Sequence, residues 1–217
     1  MSLNYAIVPV REFSDSKLRL RSKLSSRQRK ALTSSLLNRV ASSLELSRMT
    51  AAIVVASDPS EVLDLVDDLP KIRVIQEDLH HGGVNRAMRT GIDFAKQEGA
   101  TSVTLLPSDL PFISHDKIDA VLDHLPRYDL VINGSKKKDG TNLLSIQTSL
   151  DFVLHFDDNS FVKHIKEASN RKLNLLTTDF EEFSCDLDDF DDLNEAMRSY
   201  GAKSFGMFLE IVAGRGI

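Results

Sequence analysis

The chain is 217 residues long, 41% hydrophobic and 27% charged, with a formal net charge of -5. That is enough apolar sequence for one substantial core, and the single cysteine, Cys185, excludes an intramolecular disulfide framework. No apolar run approaches the roughly 18 residues that cross a bilayer, and neither a signal-peptide pattern nor the broad basic face of a nucleic-acid binder is present, so a cytoplasmic protein without membrane or nucleic-acid partners is expected.

Short β-branched runs alternate with longer amphipathic segments, the pattern of strands joined by crossover helices. The first strand, Tyr5 to Val10, runs into a basic stretch. From Arg11 to Lys30 there are eight Lys or Arg against two carboxylates, which leaves about -11 for the remainder of the chain. Positive charge is thereby focused past the carboxyl end of a strand, where an open α/β sheet binds ligands, so the stretch reads as an anion site. Leu32, Leu36, Val40 and Leu44 then recur on one face of a helix that Ser25 or Ser26 can start. Further strands are expected at Ala51 to Ala56, Ile72 to Gln76, Ser102 to Leu106, Leu130 to Asn133 and Leu143 to Gln147. A second helix, about Asn85 to Gln97, follows Gly82-Gly83 and buries Ala87, Met88, Ile92 and Ala95. Ser114 and Asp116 can cap a third, and Ser160 a fourth around Val162, Ile165 and Ala168. A last helix is expected from about Asp189 to Tyr200. Residues 1–200 thus read as a single domain, and the apolar tail 201–217 as a segment that packs on it or on a second subunit.

Several loops carry candidate chemistry. Asp109, in Pro107-Ser-Asp-Leu-Pro111, stands just past a central strand, where a carboxylate can hold Mg²⁺ beside substrate phosphates or simply form an Asx-turn. If Phe183 to Leu187 is a short strand, Asp186 and Asp188 share one face and offer a second carboxylate, while Asp189 caps the last helix. The turn from His80 to Asn85 places two glycines before a helix, so its N-H groups and Asn85 can face a nucleotide. Thr141 follows the polar loop Gly134 to Gly140, and Ser160 is expected at a helix N-cap. No Gly-x-Ser-x-Gly elbow or zinc-ligand spacing is present, and Cys185 has no evident activating histidine.

Taken in order, these segments resemble one family over about residues 5 to 195. They are Ile7 to Arg11 with Ser16 to Leu20, Ser25 to Leu32, Val55 to Asp58, Gly83 to Met88, Leu106 to Pro111, Gly140 to Leu144, Asn159 to His164, and Asp186 to Asp188 with Asp192-Leu193. The sequence is similar to 2-phospho-L-lactate guanylyltransferases of coenzyme F420 biosynthesis, relatives of the molybdenum-cofactor guanylyltransferases. The resemblance implies an α/β fold, a mostly parallel mixed sheet between helices, in the three-layer, Rossmann-like arrangement of nucleotide-diphospho-sugar transferases. It also implies that GTP and 2-phospho-L-lactate are joined with release of pyrophosphate. Phosphoenolpyruvate, 3-phosphoglycerate or another small-molecule acceptor are the near alternatives, and a non-catalytic nucleotide-binding module the distant one. By the same resemblance Lys17 and Asp109 are catalytic, and Asp109, Asp186 and Asp188 hold Mg²⁺. Arg11, Arg19, Arg21, Gly83, Asn85 and Ser108 serve the nucleotide, while Thr141, Asp157 and Ser160 hold the phosphorylated acid. The chain departs from that family before Ser160, where Asp157-Asp158-Asn159 stands in place of a Gly-Pro-Gly turn. A homodimer is expected.

Overall fold

Alternating burial along the first strand organises the molecule. In the computed structural model, which describes residues 2–77, 83–195 and 198, β1 (Asn4–Val10) sends Ala6, Val8 and Val10 into the core on one face of a sheet and Tyr5 and Ile7 into the core on the other. A strand buried on both sides must lie centrally between helical layers. The remaining strands are β2 (Ala51–Ala56), β3 (Ile72–Gln76), β4 (Ser102–Leu105), β5 (Leu130–Gly134), β6 (Thr141–Gln147) and β7 (Leu175–Thr178). They form one seven-stranded sheet in the order β3-β2-β1-β4-β6-β5-β7, in which β6 alone runs antiparallel to its neighbours. The expected α/β class is the observed one.

The helices are α1 (Ser26–Leu46), α2 (Ser60–Val66), α3 (Val84–Gln97), α4 (His115–His124), α5 (Ser160–Asn170) and the single turn α6 (Glu181–Ser184). α1, α2, α4 and α6 cover one face of the sheet through residues such as Val40, Val62, Val121 and Phe183; α3 and α5 cover the other through Met88, Ile92, Phe161 and Ala168. α1 begins in a full capping box, with the Ser25 side chain accepting from Gln28 N-H and Gln28 Oε1 accepting from Ser25 N-H. α3 lies unusually close to β1. A Cβ on Gly91 would stand 2.3 Å from Ile7 Cγ2, so only glycine fits that contact.

The structure departs from the sequence reading in several places. α2 and β7 were not foreseen, because seven and four residues are too short to display a period. No strand forms at 183–187: Phe183 belongs to α6, and residues 185–189 are loop. Ser160 is not an N-cap. Asn159 occupies that position in the left-handed region (φ 57°), and Ser160 is the first helical residue. The last helix does start after Asp189, whose Oδ1 accepts from the N-H groups of Asp191 and Asp192. Its described part is 190–195 with 198, and its remaining residues, the tail 201–217 and His80, His81 and Gly82 lie outside the described residues.

Candidate active site

β1 and β4 are sheet neighbours, yet the chain leaves β1 toward β2 and leaves β4 toward the opposite half of the sheet. The loops that follow them therefore diverge and open a crevice at the strands' carboxyl ends. Lys17 enters it from the β1 side and Asp109 from the β4 side.

The Lys17 loop is pinned at several points. Two 3-10 turns, Phe13–Asp15 and Leu18–Leu20, fold it back; Phe13 is buried, and its N-H donates to Glu61 Oε2 of α2 at 2.7 Å. Leu20 and Leu24 pack with Leu32, Leu36, Phe112, Leu187 and Leu193, a small core that fastens this loop to the acidic segment after α6. Lys17 itself is held in the left-handed region at φ 55°, ψ 36°, which costs a non-glycine residue about 1 kcal/mol. Such strain persists only where its surroundings enforce it.

The enforcement is electrostatic. Lys17 Nζ lies 2.5 Å from Asp109 Oδ2 and 3.3 Å from Asp188 Oδ1, with only 7% of its side chain exposed. Burial alone depresses the ammonium's pKa, but the charges of Asp109 and then Asp188 outweigh it, and the net direction is upward. Arg19 Nη1 stands 3.6 Å from Asp188 Oδ2, more exposed and correspondingly weaker. Asp186 completes the group. Asn142 Nδ2 of β6 donates to its Oδ1 at 3.1 Å, while burial first and the Asp109 charge second push its pKa up to about 6. Asp186 and Asp188 thus reach the crevice without a strand, flanking buried Leu187, whose N-H donates to Asp109 O at 3.3 Å.

Asp109 Oδ1 is buried and makes no hydrogen bond. An orphaned carboxylate oxygen among three acidic groups suits a hard cation such as Mg²⁺. Among the described residues no three His, Cys, Asp or Glu side chains converge on one point, so a metal here would take one or two carboxylates and complete its shell from phosphates and water.

Beside this group lies a cleft of about 1000 Å³, lined by Arg19, Lys136, Lys137, Asp157, Asp186 and Asp188 among others. One wall is the turn 157–159 before α5, and next to it the buried Thr141 and Ser160 pair, with Thr141 N-H donating to Ser160 Oγ (2.8 Å) and Ser160 Oγ donating to Thr141 Oγ1 (3.2 Å). Fully buried His164, one turn along α5, organises this pair. His155 N-H can only donate, so His164 Nε2 accepts it (2.9 Å) and Nδ1-H donates to Thr141 Oγ1 (2.9 Å). Burial, helped by His155, holds His164 down at about 4, so the ring is neutral at pH 7. Asn159, tolerant of left-handed backbone, does the conformational work of a glycine at the turn before Ser160.

Other expected site residues are less engaged. Arg11 and Arg21 are exposed and Ser108 is half-buried. Asn85 Oδ1 accepts from Phe156 N-H (2.7 Å), which ties α3 to the loop before α5. The Asp157 carboxylate pairs with Lys163 (2.6 Å) and its N-H donates to His155 O (2.8 Å), so both groups are already taken. Asn142 and His164 were missed by the sequence reading. For His164 a signal existed, its spacing of four from Ser160 on one helix.

Residues 4–210 match the family model described as "Guanylyl transferase CofC like". The chain belongs to the CofC-like guanylyltransferase family. Among curated relatives, this guanylyltransferase is 30% identical over 190 residues (88% of the chain, 90% of the relative) to phosphoenolpyruvate guanylyltransferase of Sphaerobacter thermophilus. It is 33% identical over 193 residues (88% and 82%) to 2-phospho-L-lactate guanylyltransferase of Methanothermobacter thermautotrophicus. In fold it is similar to a crystal structure from Desulfovibrio desulfuricans G20 described as a nucleotide-diphospho-sugar transferase, with TM-score 0.78, 18% identity and full coverage of both chains. A second similar structure is 4-diphosphocytidyl-2C-methyl-D-erythritol synthase of Anaerococcus prevotii, with TM-score 0.62, 14% identity and coverage of 92% and 96%. The guanylyltransferase is therefore a nucleotidyltransferase, and no helix among its described residues is long and apolar enough to cross a membrane.

Proposed function

We propose that this guanylyltransferase joins GTP to 2-phospho-L-lactate, giving lactyl-2-diphospho-5'-guanosine and pyrophosphate, in coenzyme F420 biosynthesis in the cytoplasm. The observation that carries the chemistry is the buried Lys17 ammonium held between Asp109 and Asp188 at the switch point. A phosphate monoester is largely dianionic at pH 7, so its oxygen can form the bond to the α-phosphorus of GTP without a base, while the α-β phosphoanhydride bond breaks and pyrophosphate leaves. The difficulty is the mutual repulsion of two polyanions. Lys17, with Arg19, Arg11 and Arg21 at the mouth, offsets that repulsion and stabilises charge on the departing pyrophosphate. Asp109, with Asp186 or Asp188, would hold Mg²⁺, and the bound ion supplies further neutralisation of phosphate charge. In this reading the Gly83 turn and Ser108 face the nucleotide, and Thr141 and Ser160 meet the acid.

A second acceptor, phosphoenolpyruvate, is favoured by the Sphaerobacter relative, whose name carries that acid. Pyrophosphate release from GTP and Mg²⁺, measured with 2-phospho-L-lactate, phosphoenolpyruvate and 3-phosphoglycerate in turn, tests the proposal. Fastest turnover with phospholactate supports it. Preference for another acid replaces the substrate, and GTP binding without release from any acid would leave a nucleotide-binding module. We also propose a homodimer; a monomeric mass in solution at micromolar concentration refutes that.

A further inference from the structure

His164 sits one turn into α5, fully buried, with its ring stacked on Phe152 (centroids 5.9 Å apart) and against the edge of Phe156 (4.9 Å). Its Nε2 accepts from His155 N-H at 2.9 Å, so the neutral ring carries its proton on Nδ1 and donates it to Thr141 Oγ1 at 2.9 Å. That tautomer fixes the proton count of the whole group. A hydroxyl has one proton to give and two lone pairs that receive. Thr141 Oγ1 receives from His164 and from Ser160 Oγ (3.2 Å), and Ser160 Oγ receives from Thr141 N-H (2.8 Å). The Thr141 hydroxyl proton is then left over, with no acceptor among the described residues. Reversing the bond between the two hydroxyls would only move the surplus proton to Ser160. With the ring proton on Nε2 instead, Thr141 would donate to Nδ1 and Ser160 to Thr141, and no surplus would remain.

Thr141 and Ser160 are buried, and each adjoins the cleft through the residue before it, Gly140 and Asn159. A buried O-H without an acceptor is costly, and an ionised oxygen, which accepts and has no proton of its own to place, matches it best. We propose that His164 is a positioning residue: its Nδ1-H frees one hydroxyl proton of the Thr141 and Ser160 pair for an anionic oxygen of the phosphorylated acid, and so raises the affinity for that acid. This rests on the acid-binding role proposed above for Thr141 and Ser160.

The test uses two substitutions that keep opposite halves of the ring. In His164→Gln the amide reaches the Nε2 position and can accept from His155 N-H, but no donor stands at Nδ1. In His164→Asn the amide nitrogen overlies Nδ1 and can still donate to Thr141. His164→Gln should raise KM for 2-phospho-L-lactate by about tenfold or more, the worth of one hydrogen bond to a charged group, with kcat and KM for GTP nearly unchanged. His164→Asn should raise it by less. KM does not depend on the fraction folded, so partial misfolding cancels. In a Thr141→Val background His164→Gln should have no further effect. Competition by L-lactate and by inorganic phosphate locates the oxygen: whichever inhibits His164→Gln less well than the parent carries it, and weakening of neither overturns the assignment. So does an equal rise in KM for both substitutions, no rise, or a rise that persists without the Thr141 hydroxyl. Nitrogen NMR of the intact protein reads the tautomer directly, and a proton on Nε2 overturns the assignment whatever the reaction. If no acid accepts the guanylyl group the proposed reaction fails, while calorimetric titration with 2-phospho-L-lactate and Mg²⁺ still decides the role of His164, and absence of acid binding refutes it.

Discussion

Replacing Asp186 by asparagine should stabilise the protein while impairing it. The carboxyl group's pKa is pushed from an ordinary 3.8 up to about 6, by burial and by the neighbouring Asp109 charge. At about 1.4 kcal/mol per unit, the ionised group costs the unliganded protein up to about 3 kcal/mol at pH 7. Asparagine removes the charge, keeps the shape, and retains an oxygen for the Asn142 Nδ2 donor at 3.1 Å. The sign follows from proton linkage. Between pH 3.8 and 6 the native state holds the Asp186 proton more tightly than the unfolded chain, so this group's destabilising effect is full above pH 6 and gone below 3.8. Urea denaturation of the two proteins at about pH 7, 5 and 4 should therefore show a gap of up to about 3 kcal/mol that closes as pH falls. Guanylyl transfer by the variant should drop by about tenfold or more, because the cleft loses a charge it uses. A gap that ignores pH, or a variant less stable than the parent at pH 7, would refute the like-charge account.

Lys17→Ala should lower turnover by about two orders of magnitude or more, read as pyrophosphate release, and near-normal turnover would remove Lys17 from the reaction. Gly91→Ala, whose new methyl would stand 2.3 Å from Ile7 Cγ2, should cost about 1–3 kcal/mol in thermal or urea denaturation. His164 is held at about 4 against an ordinary 6.5, so the unfolded chain binds its proton first on acidification; its contribution of up to about 3 kcal/mol should be lost as pH falls from 6.5 to about 4. In His164→Gln that part of the pH profile should flatten. Asn159→Ala, forced into left-handed backbone at φ 57°, should cost about 1 kcal/mol, and Asn159→Gly should cost nothing or stabilise.

The parts legible in the sequence are those with local signals. β1 and β2 are short continuous apolar runs and α1 repeats an apolar residue every four positions, and a carboxylate after a strand or a basic loop after another can be placed at the sheet's mouth without knowing its partners. What stayed hidden is nonlocal or too short. Asn142 meets Asp186 across 44 residues and Thr141 meets His164 across 23, and no window along the chain contains such pairs. The conditional strand at 183–187 does not form, since a helical turn followed by loop buries Phe183 and Leu187 instead, and still brings Asp186 and Asp188 to the crevice. Asp157 could not be judged without seeing Lys163, six residues on, close upon its carboxylate.

The single reversed strand has a wider consequence. Because β6 runs against β4 and β5, its entry, at Thr141 and Asn142, arrives at the edge where every neighbour ends. One half of that rim is therefore built only by chain leaving the sheet, through Lys17, Ser57 and Asp109, whereas in the other half chain entering β6 stands among chain leaving β5 and β7. Loops around β5, β6 and α5 can then lengthen, shorten or change residues without disturbing the β1-β2-β3 half. On the reaction proposed above, a lineage could in this way trade one acid for another while keeping the half proposed to meet the nucleotide, and chimeras joined within β4 provide a direct test of that division.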